Sequence, residues 1–191
     1  MHIALEGLDG VGKTHTAKIL EKDLGLTLIE MPLHYLTDLE GRENYLRLTN
    51  YINDNTNSDF TAMFYGTGNF YLKFLIQGRN VITDRHIGST YFWNYNGRNL
   101  EFFNYLVKVC GKPDLTVILL ARAEVRRQRI FNRNPDDVDL KTKIFPDEAQ
   151  NKLLEFVNRY SMNHICIDNS DLTPQETADL IAKAIKEQKL M

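Results

Sequence analysis

A three-layer α/β/α domain around a parallel sheet is predicted by three features of the sequence. Five short apolar runs are separated by longer segments with helical spacing, which places helical crossovers between parallel strands. The runs are apolar without alternation, so both faces of the sheet are covered. The segment Gly7-Leu8-Asp9-Gly10-Val11-Gly12-Lys13-Thr14 fits the G-x-x-x-x-G-K-[ST] pattern and joins a strand-like run to a helical one. At 191 residues the chain fits one domain, spanning 1–191.

The elements follow in order. His2 to Leu5 reads as the first strand, ending in Glu6-Gly7, and Lys13 to Leu24 as a helix with Ala17, Leu20 and Leu24 on one face. Leu26 to Glu30 is strand-like and stops before Pro32. Glu40 to Asn55 carries Tyr45, Leu48, Tyr51 and Ile52 at helical spacing. Thr61 to Gln77 is an aromatic-rich helix with Gly78 as C-cap candidate. Asn80 to Thr83 is a buried strand ending at Asp84-Arg85, and Asn99 to Cys110 is a helix stopped by Gly111. Leu115 to Leu120 is the most hydrophobic run and reads as a central strand. A basic helix from Ala123 to Asn132 follows it. The polar segment from Arg133 to Phe145 is weakly patterned, the candidate for a mobile lid at about 126–145. Helices at Pro146–Ser161 and Thr173–Lys189 flank the last strand, His164 to Ile167. Phe102, Phe103, Tyr105 and Leu106 form an aromatic helix face, for the core or a subunit contact.

Composition narrows the function classes. Twenty-three Lys and Arg against 25 Asp and Glu leave a net charge of −2, which argues against holding nucleic acid by bulk charge. Two cysteines, Cys110 and Cys166, are too few for a disulfide framework or a four-cysteine zinc site. No apolar run is long enough to span a bilayer. The N-terminal apolar stretch runs into Glu6 and glycines rather than a signal peptide, so a cytoplasmic location is expected.

The glycine-rich segment carries the chemistry. Gly7, Gly10 and Gly12 let the backbone amides of Leu8 and Val11 and their neighbours point inward around a phosphate. The helix N-terminus adds partial positive charge, and Lys13 reaches the outer phosphates. Thr14 places a hydroxyl where Mg²⁺ bridging those phosphates would bind. Asp84, at a strand end, can hold the same metal, and Arg85 beside it can clamp a second anion bidentately. No N-K-x-D guanine-reading motif occurs.

Glu6-Gly7-Leu8-Asp9-Gly10-Val11-Gly12-Lys13-Thr14 resembles the E-G-x-D-G-x-G-K-T opening of thymidylate kinases. Val81-Ile82-Thr83-Asp84-Arg85-His86 with Ser89 resembles that family's V-I-x-D-R-[YWH]-x-x-S segment. Lys112-Pro113-Asp114-Leu115-Thr116 resembles its K-P-D-L-T, and Val157-Asn158-Arg159-Tyr160 its helix after the lid. The resemblance implies a P-loop NTPase fold with a five-stranded parallel sheet in the order 2-3-1-4-5. It also implies transfer of the ATP γ-phosphate to a nucleoside monophosphate with Mg²⁺, most directly dTMP to dTDP. A homodimer is part of the same implication.

Residue by residue, the resemblance gives Lys13 and the loop amides the ATP β- and γ-phosphates. Asp9 sits toward the acceptor sugar and Mg²⁺. Arg85 binds the acceptor phosphate, which Asp84 orients together with the metal. Phe64 falls where a phenylalanine stacks on the acceptor base, Ser89 and Thr90 where small polar residues line the base pocket, and Trp93 near an aromatic that crowds the 2′ position. Position 10 is Gly, and Arg126, Arg127, Arg129 and Arg133 crowd the lid. This matches the subset whose lid arginines supply catalytic charge, giving Arg127, Arg129 and Arg133 as candidates. An acceptor that is already anionic needs no general base.

The chain departs from the family in the base-reading region. The thymine-reading arginine, four residues after the stacking phenylalanine, falls at Gly68. The loop after the second strand, Glu30-Met31-Pro32-Leu33-His34, keeps only the acid and the proline. The arginine expected later in that loop is Arg42 or Arg47, with Arg47 carried forward as an acceptor contact. The lid's D-R-x-E is blurred into Asp136-Asp137-Val138-Asp139. A deoxynucleoside kinase, with Glu30 as base for a neutral 5′-hydroxyl, is one alternative. Others are a kinase of another small molecule and an ATP-binding relative without turnover.

Overall fold

The apolar runs form five strands in a computed structural model that describes residues 1–38, 40–137, 140 and 146–190. They are His2–Glu6 (β1), Thr27–Glu30 (β2), Val81–Asp84 (β3), Leu115–Leu120 (β4) and His164–Asp168 (β5). All pair in parallel, in the order β2-β3-β1-β4-β5, as the resemblance implied. Every residue of β1, and all of β4 but Leu120, is buried, so helices cover both faces of the central strands. At the edge, β5 is only partly covered.

The helices are Lys13–Leu24 (α1), His34–Thr37 (α2), Glu43–Asn55 (α3), Ser58–Leu75 (α4), Ile87–Asn94 (α5), Leu100–Cys110 (α6), Ala123–Arg133 (α7), Asn151–Arg159 (α8) and Pro174–Glu187 (α9). α1 packs against α9, and α5 against α4, α6 and α8. A capping box starts α9: Thr173 Oγ1 accepts from the Glu176 amide at 3.2 Å, and the Glu176 carboxylate accepts from the Thr173 amide at 2.8 Å. Such a cap stabilises by about 1 kcal/mol.

Several elements differ from their sequence reading. α4 starts at Ser58, because Asn57 Oδ1 caps the Phe60 amide at 2.9 Å, and it closes at Ile76 rather than Gly78. A 3₁₀ turn over Asp147–Gln150 precedes α8. α5 carries no periodic stripe because it is buried on nearly all sides, Trp93 excepted, so no amphipathic pattern marks it. Phe103 and Leu106 lie fully in the core, Phe102 covers Gly66, and Tyr105 alone of the four is exposed. The proposed lid begins inside α7; its positions 138, 139 and 141–145 lie outside the described residues. Among the described residues no helix is long and apolar enough to cross a membrane.

Register positions the site. Leu5 pairs with Asp84, and Asp84 with Glu30, so the carboxyl ends of β1, β2 and β3 finish side by side. Ligands in open parallel sheets bind beyond such ends.

Candidate active site

The loop after β1 is shaped by two close approaches. A Cβ at Gly7 would sit 2.6 Å from the Leu119 carbonyl oxygen, and one at Gly10 would sit 2.5 Å from the Arg126 carbonyl oxygen. Both glycines also have positive φ, 149° and 83°. The backbone of α7 thus excludes any side chain at position 10, basic ones included. α1 begins without a side-chain cap, leaving its first amides available to an anion. Lys13 is buried, and its ammonium donates to the carbonyls of Gly7 and Leu8, both at 3.0 Å. Burial, with Arg85 nearby, lowers its pKa to about 8. Thr14 donates its hydroxyl to Asp84 Oδ2 at 2.5 Å, and Asp84 Oδ1 is buried with no hydrogen-bond partner among the described residues.

A second anchor stands opposite. Arg85 is held at φ 78°, a left-handed conformation that costs a non-glycine residue on the order of 1–3 kcal/mol. Its amide donates to the Leu5 carbonyl, and the next amide, His86, donates to Glu6 Oε1 at 3.0 Å. Glu6 Oε2 accepts from Ser89. Glu6 is almost wholly enclosed, and burial pushes its carboxyl above the ordinary range. The Arg85 guanidinium donates to Asp9 at 2.5 Å and to Ser89 Oγ at 3.2 Å. Burial opposes its charge, but Asp9, Asp84 and Glu6 together hold its pKa above the usual value. Burial also keeps His86 neutral, with its ring edge-on to His2 at 5.0 Å.

From Arg85 a cavity of about 670 Å³ extends between α3, α4 and α5. Of the expected acceptor residues, Asp9, Gly68, Arg85, Ser89, Thr90 and Trp93 line it, with Asp84. Phe64 does not. Helical phase puts Thr61, Tyr65, Gly68, Asn69 and Leu72 of α4 on the cavity side, and Phe64 one step off it, edge-on to Tyr65. Arg47 is exposed on α3 and is absent from the wall, since α3 presents Tyr45, Leu46, Thr49 and Asn53 instead. Arg42 pairs with Glu30 at 2.9 Å. Gly68 faces Leu33, which would crowd a Cβ at 3.1 Å. The sequence reading missed Tyr65, Asn69 and Asn94; phasing α4 by its buried positions would have found the first two.

The lid arginines divide. Arg126 is fully buried, donating to the Ala121 carbonyl at 3.0 Å and lying 3.5 Å from Asp147. Arg129 turns inward, donating to Asn169 Oδ1 at 3.0 Å and to its carbonyl at 2.7 Å, and reaching the Val11 carbonyl at 3.4 Å. Asn169 itself donates to Val11 at 2.8 Å, so this network ties the phosphate loop to the chain after β5. Arg133 pairs with Asp137 at 2.7 Å, while Arg127 is exposed with no hydrogen bond or ion pair among the described residues.

A phosphate loop opening onto a second, arginine-anchored cavity across a parallel sheet defines a P-loop kinase. Residues 5–181 match the family model for thymidylate kinase, and the chain belongs to that family. It is an ATP-dependent phosphotransferase. Similar relatives include the probable thymidylate kinase of Methanocaldococcus jannaschii, 25% identical over 190 residues, covering 97% of this chain and 96% of the relative. That of Sulfolobus acidocaldarius is 26% identical over 181 residues, covering 93% and 92%. Among solved structures, deoxyadenosine kinase from M. mycoides with bound dATP superposes with a TM-score of 0.69 at 17% identity, covering 97% of this chain and 100% of that one. Its dCTP complex gives 0.64 at 19% identity, covering 98% and 100%. At such identities the likeness concerns the fold.

Proposed function

We propose that the chain transfers the γ-phosphate of ATP to dTMP. The observation carrying this reading is Arg85, which lines the 670 Å³ cavity while its neighbour Asp84 holds the phosphate-loop hydroxyl of Thr14. Two polyanions can then lie end to end, with the loop amides on one and a guanidinium on the other. Lys13 exchanges its two loop carbonyls for the β- and γ-phosphate oxygens. Arg85 holds the acceptor phosphate, and Asp9 keeps the guanidinium aligned toward it. Asp84 and Thr14 are the residues that would hold Mg²⁺, since a buried carboxylate oxygen without a partner beside a hydroxyl is an oxygen set suited to a hard cation. Bound there, the metal supplies charge neutralisation at the phosphates. Ser89, Thr90 and Trp93 line the path to the base. In this reading Arg127 supplies lid charge, and the chain forms a homodimer, for which sedimentation velocity reads the association state.

A deoxynucleoside acceptor is the second reading, favoured by the wall's charge: Asp9, Asp54 and Asp84 face one arginine, Arg85. Glu30, the candidate base in that reading, is paired with Arg42 at 2.9 Å and would have to leave that pair to reach a 5′-hydroxyl. Coupled ADP release, measured with each deoxynucleoside monophosphate and with free thymidine, separates the two. Stimulation by dTMP and not thymidine is expected. Stimulation by thymidine alone, or by neither, overturns the proposal.

A further inference from the structure

The geometry points to Asn69 as the residue that reads the acceptor base, presenting a hydrogen-bond acceptor to a ring N–H. The inference rests on the proposed acceptor cavity and adds to it a reader on α4. Asn69 is 6% exposed, yet it lines the cavity. Its amide nitrogen donates both ways, to the Tyr65 carbonyl at 3.1 Å and to Thr90 Oγ1 at 3.1 Å. A carbonyl can only accept, so the orientation of the amide is fixed by its partners. Both N–H groups are used, and Oδ1 is left without a hydrogen bond among the described residues. The oxygen is not sealed in, since among the described residues the enclosed side-chain atoms lacking partners are Thr16 Oγ1 and Asp84 Oδ1. It therefore meets the cavity as an acceptor only.

Thr90 completes the ledge. Its hydroxyl accepts from Asn69 and keeps its own hydrogen, so acceptor and donor stand side by side on the wall. The Thr90 neighbour Ser89 is the residue Arg85 grips at 3.2 Å, which runs the ledge away from the phosphate anchor. Thymine matches it with N3–H for Asn69 and an adjoining carbonyl for Thr90. Cytosine does not, because its N3 carries a lone pair that would face Oδ1. Gly68 next door supplies no side chain, and Leu33 crowds that position. Polar discrimination on this side of the cavity thus falls to Asn69.

The test uses the chain's only tryptophan, Trp93, which lines the same cavity and reports binding by fluorescence without requiring turnover. The wild-type protein and Asn69→Ala are titrated with dTMP, N3-methyl-dTMP and dCMP. Wild type is expected to bind dTMP about 10–100-fold more tightly than either comparator, and Asn69→Ala to lose about that factor for dTMP while changing the comparators less than about threefold. Equal losses for all three ligands, or unchanged dTMP affinity in the variant, overturn the assignment. Should Asn69→Ala fail to fold, the ligand arm decides alone: N3-methyl-dTMP binding wild type as tightly as dTMP overturns it. If dTMP does not bind, the thymine reading falls by itself, and dGMP against N1-methyl-dGMP repeats the comparison. Equal affinity in that pair, or no binding of either, overturns Asn69 as well.

Discussion

Thr14 and Asp84 meet hydroxyl to carboxylate at 2.5 Å, and the second oxygen of that carboxylate is buried with nothing to bond among the described residues. A buried carboxylate oxygen left unpaired is costly, and a magnesium ion held there with ATP, as proposed, would relieve it. Asp84→Asn removes the charge and keeps the shape. We expect kcat to fall on the order of 100-fold and half-maximal Mg²⁺ to rise, a loss of about 3 kcal/mol in transition-state stabilisation. Initial rates against Mg²⁺ at saturating ATP check this. An unchanged Mg²⁺ requirement would remove Asp84 from the metal site.

Glu6 links the strand carrying the phosphate loop to the turn carrying Arg85. Both its oxygens are occupied, by the His86 amide and the Ser89 hydroxyl, and no Cβ would fit at Gly88, where it would meet Glu6 Oε1 at 2.7 Å. Glu6→Ala orphans two donors and frees a turn that holds Arg85 at positive φ. The expected cost is about 1–3 kcal/mol of stability by denaturant unfolding. The acceptor KM should rise several-fold more than the ATP KM. Equal rises in the two constants would mean that Glu6 supports the domain generally and not the arginine.

The strands and the phosphate loop were legible in the sequence because their signals are local. Five apolar runs and one glycine pattern suffice, and the boundaries of α1 and β4 match residue for residue. The cavity wall was less legible. Whether Phe64 or Tyr65 faces the cavity depends on helical phase, which a start misplaced by three residues leaves unfixed. Arg47 and Arg42 differ in their tertiary partners, not in their neighbours along the chain. Arg126 and Arg129 read as lid charges, yet one is buried under a carbonyl and the other ties two loops together, because long side chains fold back wherever backbone acceptors are left unpaired.

The same division of arginines can be measured. Arg129 donates to Asn169 and to the Val11 carbonyl behind the phosphate loop, so Arg129→Ala is expected to lower Tm and to raise the ATP KM. Arg127 is exposed and unbonded among the described residues, so Arg127→Ala should leave stability within about 0.5 kcal/mol. If it supplies charge to the transferring phosphoryl group, kcat falls about tenfold or more. A lowered Tm with normal kcat for Arg127→Ala would reverse the two assignments.

Lys13 gives ATP binding a pH signature. Its pKa in the folded chain is about 8, against an ordinary 10.5, first because it is buried and then because Arg85 is near. Between those values the unfolded chain holds a proton that the folded chain has released, so this group makes stability rise with pH from about 8 to 10.5. Below pH 8 both states are protonated and the contribution is constant. Phosphate oxygens give the ammonium a partner and raise its pKa, so ATP binding at pH 8 takes up about half a proton, and affinity falls as pH rises further. Calorimetric titration in two buffers of different protonation enthalpy measures the uptake directly. Lys13→Met should abolish it along with turnover, and a binding heat independent of buffer at pH 8 would show that the ammonium does not engage the triphosphate.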